Sequence, residues 1–458
     1  LAEYLLPFCL TGHPYAPYPP TIALRGCLLS FKGNPFTCPP EEALWVEEDG
    51  LLIMQNGKIT HCGPYTQTHQ FLPANCPVTH YPDSLISAGF IDTHVHYPQL
   101  PVIASWGDEL LAWLQHYVFP AESRFADKTF ASATAKAFLT ELLHNGTTTA
   151  AVYCTVHSHS VDAFFEESAR LGTRMIAGKV LMDRNAPTAL QDTAQQGYAD
   201  SAALIARWHG NGRQLYAVTP RFALTSTPEQ LELAGTLFNS QPGLFMQTHL
   251  SETQQECAEV KRLFPNASSY LDVYDKAGLV GPRALFGHGI HLHEQDFQHC
   301  HTTGCMLAHC PTSNLFLGSG LFKLFDAKAP HRPVHVGLGT DVGAGTSLSL
   351  LATMGEAYKV SALTGGPKLH ALQAFWLATA GAAQSLHLSH KIGTLAVGME
   401  ADLCVLNPKA TPLLAQRTQR SQSIADALFA LMILGDDRCI EATWVNGHCV
   451  YQQPHKGL

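Results

Sequence analysis

Two histidines stand two positions apart in the tract Phe90-Ile91-Asp92-Thr93-His94-Val95-His96-Tyr97-Pro98-Gln99, which ends an apolar run beginning near Leu85. Along a β-strand, residues i and i+2 face the same side. His94 and His96 are therefore placed to grip one metal ion from the floor of a pocket, and an ion held by neutral imidazoles activates water. The chain holds 25 histidines, which raises the prior for a metal centre and also supplies decoys. The pairs His157/His159, His291/His293 and His299/His301 repeat the spacing but end no long apolar run, so they read as structural or surface residues. Cys300, Cys305 and Cys310 recur at five-residue intervals and are not read as ligands.

A histidine pair acts only if the chain brings further ligands to it. The middle of the sequence alternates β-type and helix-type patterns. Strands are predicted at 86–96, 147–154, 174–182, 215–222, 244–251, 284–289, 305–310 and 335–341. The segments between them read as helices, among them 126–144, 161–171 and 228–239. The last opens with Thr227 as N-cap and Pro228 at the first helical position. Eight short apolar strands alternating with helices match an α/β chain folded as a (β/α)8 barrel. The alternative, a doubly wound open sheet, calls for a Gly-rich first turn, and the first strand here ends in histidines. The flanks are β-rich, with turn signals at Glu48-Asp49-Gly50, Asn56-Gly57 and Asn446-Gly447. They predict one small β-sandwich domain built from both termini, residues 1–86 and 398–458, around a barrel spanning 87–397. The leader, residues 1–20 with its HPYAPYPP stretch, reads as an extended arm.

Composition narrows the function classes. Apolar residues make up 46% and charged residues 14% of the 458 positions, as in a compact globule. No run of 18 apolar residues exists, and the opening residues lack a basic, apolar leader, so neither a membrane span nor a secretory signal is expected. Net charge is −9, with 28 Lys and Arg against 37 Asp and Glu and no basic block, which argues against a nucleic-acid partner. Thirteen cysteines at irregular spacing, with no C-x-x-C, read as reduced thiols of a cytoplasmic enzyme.

In a barrel, active residues lie where strands end and βα loops begin. Strand one ends in His94 and His96, strand four in Arg221, and strand five in His249 with Glu252 just beyond. Strand six carries His288, strand seven leads into Ser313 and Asn314, and strand eight ends in Asp341. Three histidines and one aspartate, with a place left for water, make a catalytic rather than a structural site. Asp341 can ligate the ion and take a proton. Glu252 can carry protons without being a ligand. His288 can orient the water or polarise the reacting centre.

These segments resemble the amidohydrolase superfamily over essentially the whole chain. SAGFIDTHVHYPQ (87–99), NGTTTA (145–150), THLSE (248–252) and GLGTDVGAGTS (337–347) carry the general likeness. HYPQ, TPRFA (219–223) and AHCPTSNLFLGSGLF (308–322) are narrower, and resemble the branch that deaminates free guanine. The resemblance implies His94, His96, His249 and Asp341 as metal ligands. It implies Gln99, Arg221, Phe222 and Glu252 as the residues that hold and protonate the purine, beside the ligands His96, His249 and Asp341, with His288 assisting the water. Two-metal members use a lysine on strand four; 215–223 contains none, so one ion per chain is expected, Zn²⁺ first, with iron or manganese compatible with the same donors. A homodimer is the family expectation.

Side-chain chemistry agrees. Arg221 offers a forked donor set to the O6 and a ring nitrogen of guanine, Gln99 can give and accept along the same edge, and Phe222 can stack on the ring. The expected reaction is hydrolytic deamination of guanine to xanthine and ammonia, by a metal-activated hydroxide attacking C2. The nearest rival is a related deaminase acting on a pterin, a triazine or an adenine derivative, which would differ at Gln99, Arg221 and Phe222. A non-catalytic barrel would be expected to have lost ligands or Glu252, and both are present.

Overall fold

The computed structural model describes residues 21–107 and 109–454; the leader read above as an extended arm lies outside the described residues. Among the described residues, sixteen strands form two sheets. In chain order they are β1 (Ile22–Phe31), β2 (Leu44–Gln55), β3 (Lys58–Pro64), β4 (Val78–Ala88), β5 (Phe90–His96), β6 (Thr147–Tyr153), β7 (Arg174–Gly178) and β8 (Val180–Leu181). There follow β9 (Leu215–Pro220), β10 (Phe245–Leu250), β11 (Ala284–His288), β12 (Met306–His309), β13 (His335–Leu338), β14 (Leu403–Leu406), β15 (Ile440–Val445) and β16 (His448–Gln452).

Strands β5, β6, β7, β9, β10, β11, β12 and β13 are parallel neighbours in that order, and they coincide with the eight predicted segments. The third segment is broken: Lys179 separates β7 from β8, its ammonium leaves the sheet to pair with Asp192, and β8 pairs with β9. Helices alternate with the strands, including Lys128–His144, Ser158–Leu171 and Pro228–Phe238. Thr227 caps the last, accepting from Gln230 N at 3.2 Å with Pro228 behind it. One end of the barrel is plugged: Ile91, Ala151, Ile176, Ala217, Phe245, Leu285 and Met306 pack with Ala382, Ala383, Leu386 and Ile392 in one buried cluster.

The first and last barrel strands meet at the other end. Asp341 N donates to His94 O at 2.8 Å, His96 N donates to Val342 O at 2.9 Å, and Thr93 Oγ1 donates to Leu338 O at 2.9 Å. The seam of the barrel is thus closed by the backbone of the residues singled out for chemistry.

The termini build the second sheet, in the order β16-β15-β14-β4-β1-β2-β3. The predicted sandwich is realised as one seven-stranded sheet. The long strand β4 lies between β1 and β14, pairing with both at Leu85 and Ile86, so it joins the N-terminal to the C-terminal strands. Leu24, Leu52, Ile86, Leu403, Val405 and Trp444 from both arms share one buried cluster. Charge ties the sheet to the barrel: Arg174 and Arg213 pair with Glu400, and Arg213 pairs also with Asp402. No helix among the described residues is long and apolar enough to cross a membrane.

Candidate active site

Strand ends place the polar residues. In β5 the register with β6 slips between Asp92 and Val95, a bulge that re-aims the following side chains. His94 and His96 then converge, Nε2 to Nε2 at 3.3 Å. From β10, His249 Nε2 lies 3.3 Å from His96 Nε2. Beyond β13, Asp341 Oδ1 lies 3.3 Å from His94 Nε2 and 3.2 Å from His96 Nε2. Donor atoms sharing a tetrahedral ion at about 2.0–2.1 Å would stand about 3.3–3.4 Å apart. The donor set therefore fits a small divalent ion in both type and spacing. His288 joins the group at longer range: atoms of His94, His249, His288 and Asp341 all lie within 4.8 Å of one another, and His288 Nε2 is 3.7 Å from Asp341 Oδ2.

Burial tunes these groups. It drives the His96 imidazole down to about 3, and Asp341 only partly offsets this. Burial, then the neighbouring imidazoles, hold His249 well below its ordinary value. Both rings are thus neutral with a lone pair to offer. For Asp341 burial acts upward, but His94, His96 and His288 outweigh it and keep the carboxylate ionised. Glu252 goes the other way: burial, then Glu256 and Asp341, push it well above the usual carboxyl range.

Outer partners fix the rings. His249 Nδ1 donates to Arg221 O at 2.7 Å, which leaves the Nε2 lone pair free to ligate an ion. His288 Nδ1 lies 2.9 Å from Asn314 Oδ1, an acceptor, so Nε2 turns to Glu252 Oε2 at 3.4 Å. Glu252 Oε1 accepts from Ser319 Oγ at 3.2 Å. Ser251, His288 and Asp341 all have φ between 50° and 70°. Such angles are strained for residues with a side chain, and strain of this kind gathers at functional sites. At Gly287 a Cβ would stand 2.6 Å from His94 Cε1, so only glycine lets the ring pass.

A cavity of about 370 Å³, its open mouth included, is lined by His96, Gln99, Arg221, Phe222, His249, Glu252, His288 and Asp341. The loop after β5 closes over it. Helix Leu110–Trp113 runs through a π turn, Leu114–Val118, into helix Phe119–Ser123. Leu110, Trp113 and Leu114, with Leu317 and Ala344, complete the lining.

All predicted site residues except His94 line this cavity, and His94 stands just beneath it, beside His96. The decoy pairs lie elsewhere: His159 Nε2 bonds Phe125 O, His299 faces Asp275, and His301 bonds Pro333 O. Two residues of consequence escape sequence reasoning. Asp92, fully buried and pushed up to about 6 by that burial, accepts from the backbone N–H of His94 and of Thr340, each at 3.1 Å. Its trace in the sequence is an acid two positions before His94, just after the apolar Phe90-Ile91. Glu122 binds Arg221 Nη1 with both oxygens, at 2.9 and 2.8 Å, and no local pattern marks it.

The comparisons agree with this geometry. The amidohydrolase family model matches residues 85–450. A guanine deaminase of Escherichia coli strain K12 is 48% identical over 417 residues, covering 90% of this chain and 94% of its own. A solved E. coli guanine deaminase superposes with a TM-score of 0.92 at 46% identity, over 94% of this chain and 100% of that one. Another, from C. acetobutylicum with guanine bound in its active site, gives 0.84 at 27% identity over 94% and 100%. With a histidine and aspartate cluster at the seam of a (β/α)8 barrel and a match across most of its length, the chain belongs to the amidohydrolase family.

Proposed function

We propose that this protein catalyses the hydrolytic deamination of free guanine, giving xanthine and ammonia. The observation that carries the reading is the pairing, within one cavity, of a His and Asp cluster with Arg221, Gln99 and Phe222. Likeness to guanine deaminases over most of both chains supports the same substrate.

His94, His96, His249 and Asp341 would hold one ion, assigned as Zn²⁺ from its borderline preference for imidazole and carboxylate donors. His96 is preferred to His288 as the fourth ligand, because its contacts of 3.2–3.3 Å are shorter than the 3.7 Å separation of His288 from Asp341. When bound, such an ion is a Lewis acid that brings the pKa of water from about 15.7 to about 7. Arg221 and Gln99 hold the O6 edge of the purine, and Phe222 covers the ring. Water adds to C2, forming a C–O bond as the ring takes a proton from Glu252. Asp341 receives a proton from the water, and His288 holds that water in line. Asp341 relays its proton to Glu252, which passes it to the exocyclic amine; the C2–N bond breaks, ammonia leaves, and the C2 hydroxyl proton returns to Glu252 as the C2 carbonyl forms. We place the protein in a reducing, cytoplasmic compartment, since its 13 cysteines are irregularly spaced and form no C-x-x-C pattern. A homodimer, tested by sedimentation, is the assembly the family resemblance implies.

Ammonia release from guanine, adenine, cytosine and a pterin by metal-loaded protein tests the reading. Release from guanine is expected. No release from guanine with release from another of these compounds would assign a different heterocycle.

A further inference from the structure

Resting on the guanine reading, we propose that Glu122 is a positioning residue: it fixes Gln99 and Arg221 as a donor-rich recognition edge and thereby sets the preference for a 6-oxo over a 6-amino purine. Glu122 is 1% exposed and does not line the cavity, so it acts through its two partners.

Its Oε1 and Oε2 both accept from Arg221 Nη1, and Oε1 stands 3.4 Å from Gln99 Nε2. On its other side, Gln99 Oε1 accepts from Gly343 N at 3.2 Å. A carboxamide has two N–H donors and one oxygen. Turning it over would set the Gln99 oxygen against the Glu122 carboxylate and an N–H against Gly343 N–H. The amide is therefore held in one orientation, with its second N–H free for the substrate. Arg221 has five donors and no acceptor, and binding Nη1 fixes the plane of the whole fork. The Phe119 ring, on the same short helix as Glu122, lies 5.5 Å from Arg221 Cζ and steadies that plane.

This edge matches the O6 and N7 acceptors of a 6-oxopurine. A 6-amino group would bring N–H against N–H in a buried site, a mismatch that discriminates strongly. Glu122 also offsets the guanidinium charge, so the occupant of the pocket is a neutral base rather than an anion.

The test compares kcat/KM for guanine and for 2,6-diaminopurine, which keeps the C2 amine and replaces the 6-oxo group. Metal content and melting temperature are measured alongside. Glu122→Gln keeps the shape and removes the charge. It is expected to raise KM for guanine by roughly ten- to a hundredfold, the weight of a charged hydrogen bond, with kcat falling less. The guanine to diaminopurine ratio is expected to fall by about a hundredfold in Glu122→Gln and about tenfold in Glu122→Asp, which withdraws the carboxylate by one methylene. A ratio unchanged in both variants overturns the proposal, whatever happens to kcat or melting temperature. If Glu122→Gln fails to fold, the aspartate variant decides alone by the same criterion. A wild-type protein that releases no ammonia from guanine overturns the guanine reading itself; an active wild type with unchanged ratios overturns only the role of Glu122.

Discussion

Replacing Glu252 by glutamine removes a proton carrier and leaves its surroundings in place. Glu252 is buried, with one oxygen accepting from Ser319 Oγ at 3.2 Å and the other 3.4 Å from His288 Nε2. Glutamine can keep both contacts: its oxygen accepts from Ser319, and its amide donates to the free lone pair of His288. Little rearrangement is expected, because the native carboxyl is held well above its ordinary range by burial and by Glu256 and Asp341, and so is neutral when unliganded. What disappears is the capacity to give and take a proton. General acid–base catalysis is worth about 10²–10⁴-fold, and the proposed mechanism uses Glu252 both when the ring is protonated and when the amine leaves. The expected loss is therefore in the upper half of that range, about 10³–10⁴-fold in kcat, or roughly 4–5 kcal/mol in the barrier. KM for guanine should stay within about threefold, since Arg221 and Gln99 are untouched. Steady-state ammonia release gives kcat and KM, and elemental analysis gives the metal content. A kcat within about threefold of wild type would refute the proton-carrying role. Loss of the ion would make Glu252 a ligand and refute the assignment of the metal set.

Other perturbations probe the remaining parts. Dialysis against a chelator should abolish turnover and one equivalent of Zn²⁺ should restore it, with His249→Ala binding no ion at the same loading, by elemental analysis. Asn314→Leu frees Nδ1 of His288, and kcat should fall roughly 10–100-fold with metal content unchanged, measured on the same preparation. Arg213→Ala leaves Glu400 and Asp402 without one of their cations at the boundary between sheet and barrel, and should cost about 3–5 kcal/mol in denaturant unfolding. Burial alone would raise Glu400, but Arg213 and Arg174 outweigh it and hold it below 4.5, so its stabilisation is complete above that pH and lost as pH falls through the lowered folded-state value. Acid unfolding of Glu400→Gln should accordingly be less steep below pH 4.5 than that of wild type.

The barrel was legible because parallel strands buried on both faces leave near-continuous apolar runs, as in TTTAAVY and ALFGH. Those runs end in the residues that line the cavity, so locating the strands also located His249, His288 and Asp341. Lys179 hides the break between β7 and β8, because a lysine inside an apolar segment gives no hint that Asp192 will draw it out of the sheet. Glu122 was illegible for a related reason: its meaning lies in Arg221, 99 residues away, and in a π turn that periodicity does not report. The φ angles of Ser251, His288 and Asp341 leave no trace either, since the usual sign of that conformation is glycine. For the terminal strands, alternating patterns announced a sheet but not the place of β4, which lies between β1 and β14 and pairs with both at Leu85 and Ile86.

The closure of the barrel between its first and last strands also sets a timetable for synthesis. Asp92 and Thr340, which bond across the seam, are 248 residues apart in the chain. At about 5–20 residues per second, roughly 12–50 s pass between the emergence of His94 and that of Asp341. During that interval a ribosome-bound chain presents two histidines, and later a third, with no carboxylate to complete them. Such a set is short of the four donors that a closed tetrahedral arrangement around a small divalent ion draws on. The carboxylate of the proposed donor set thus arrives last, together with the strand that shuts the barrel, so completing the set and closing the ring fall at the same point in the synthesis of the chain.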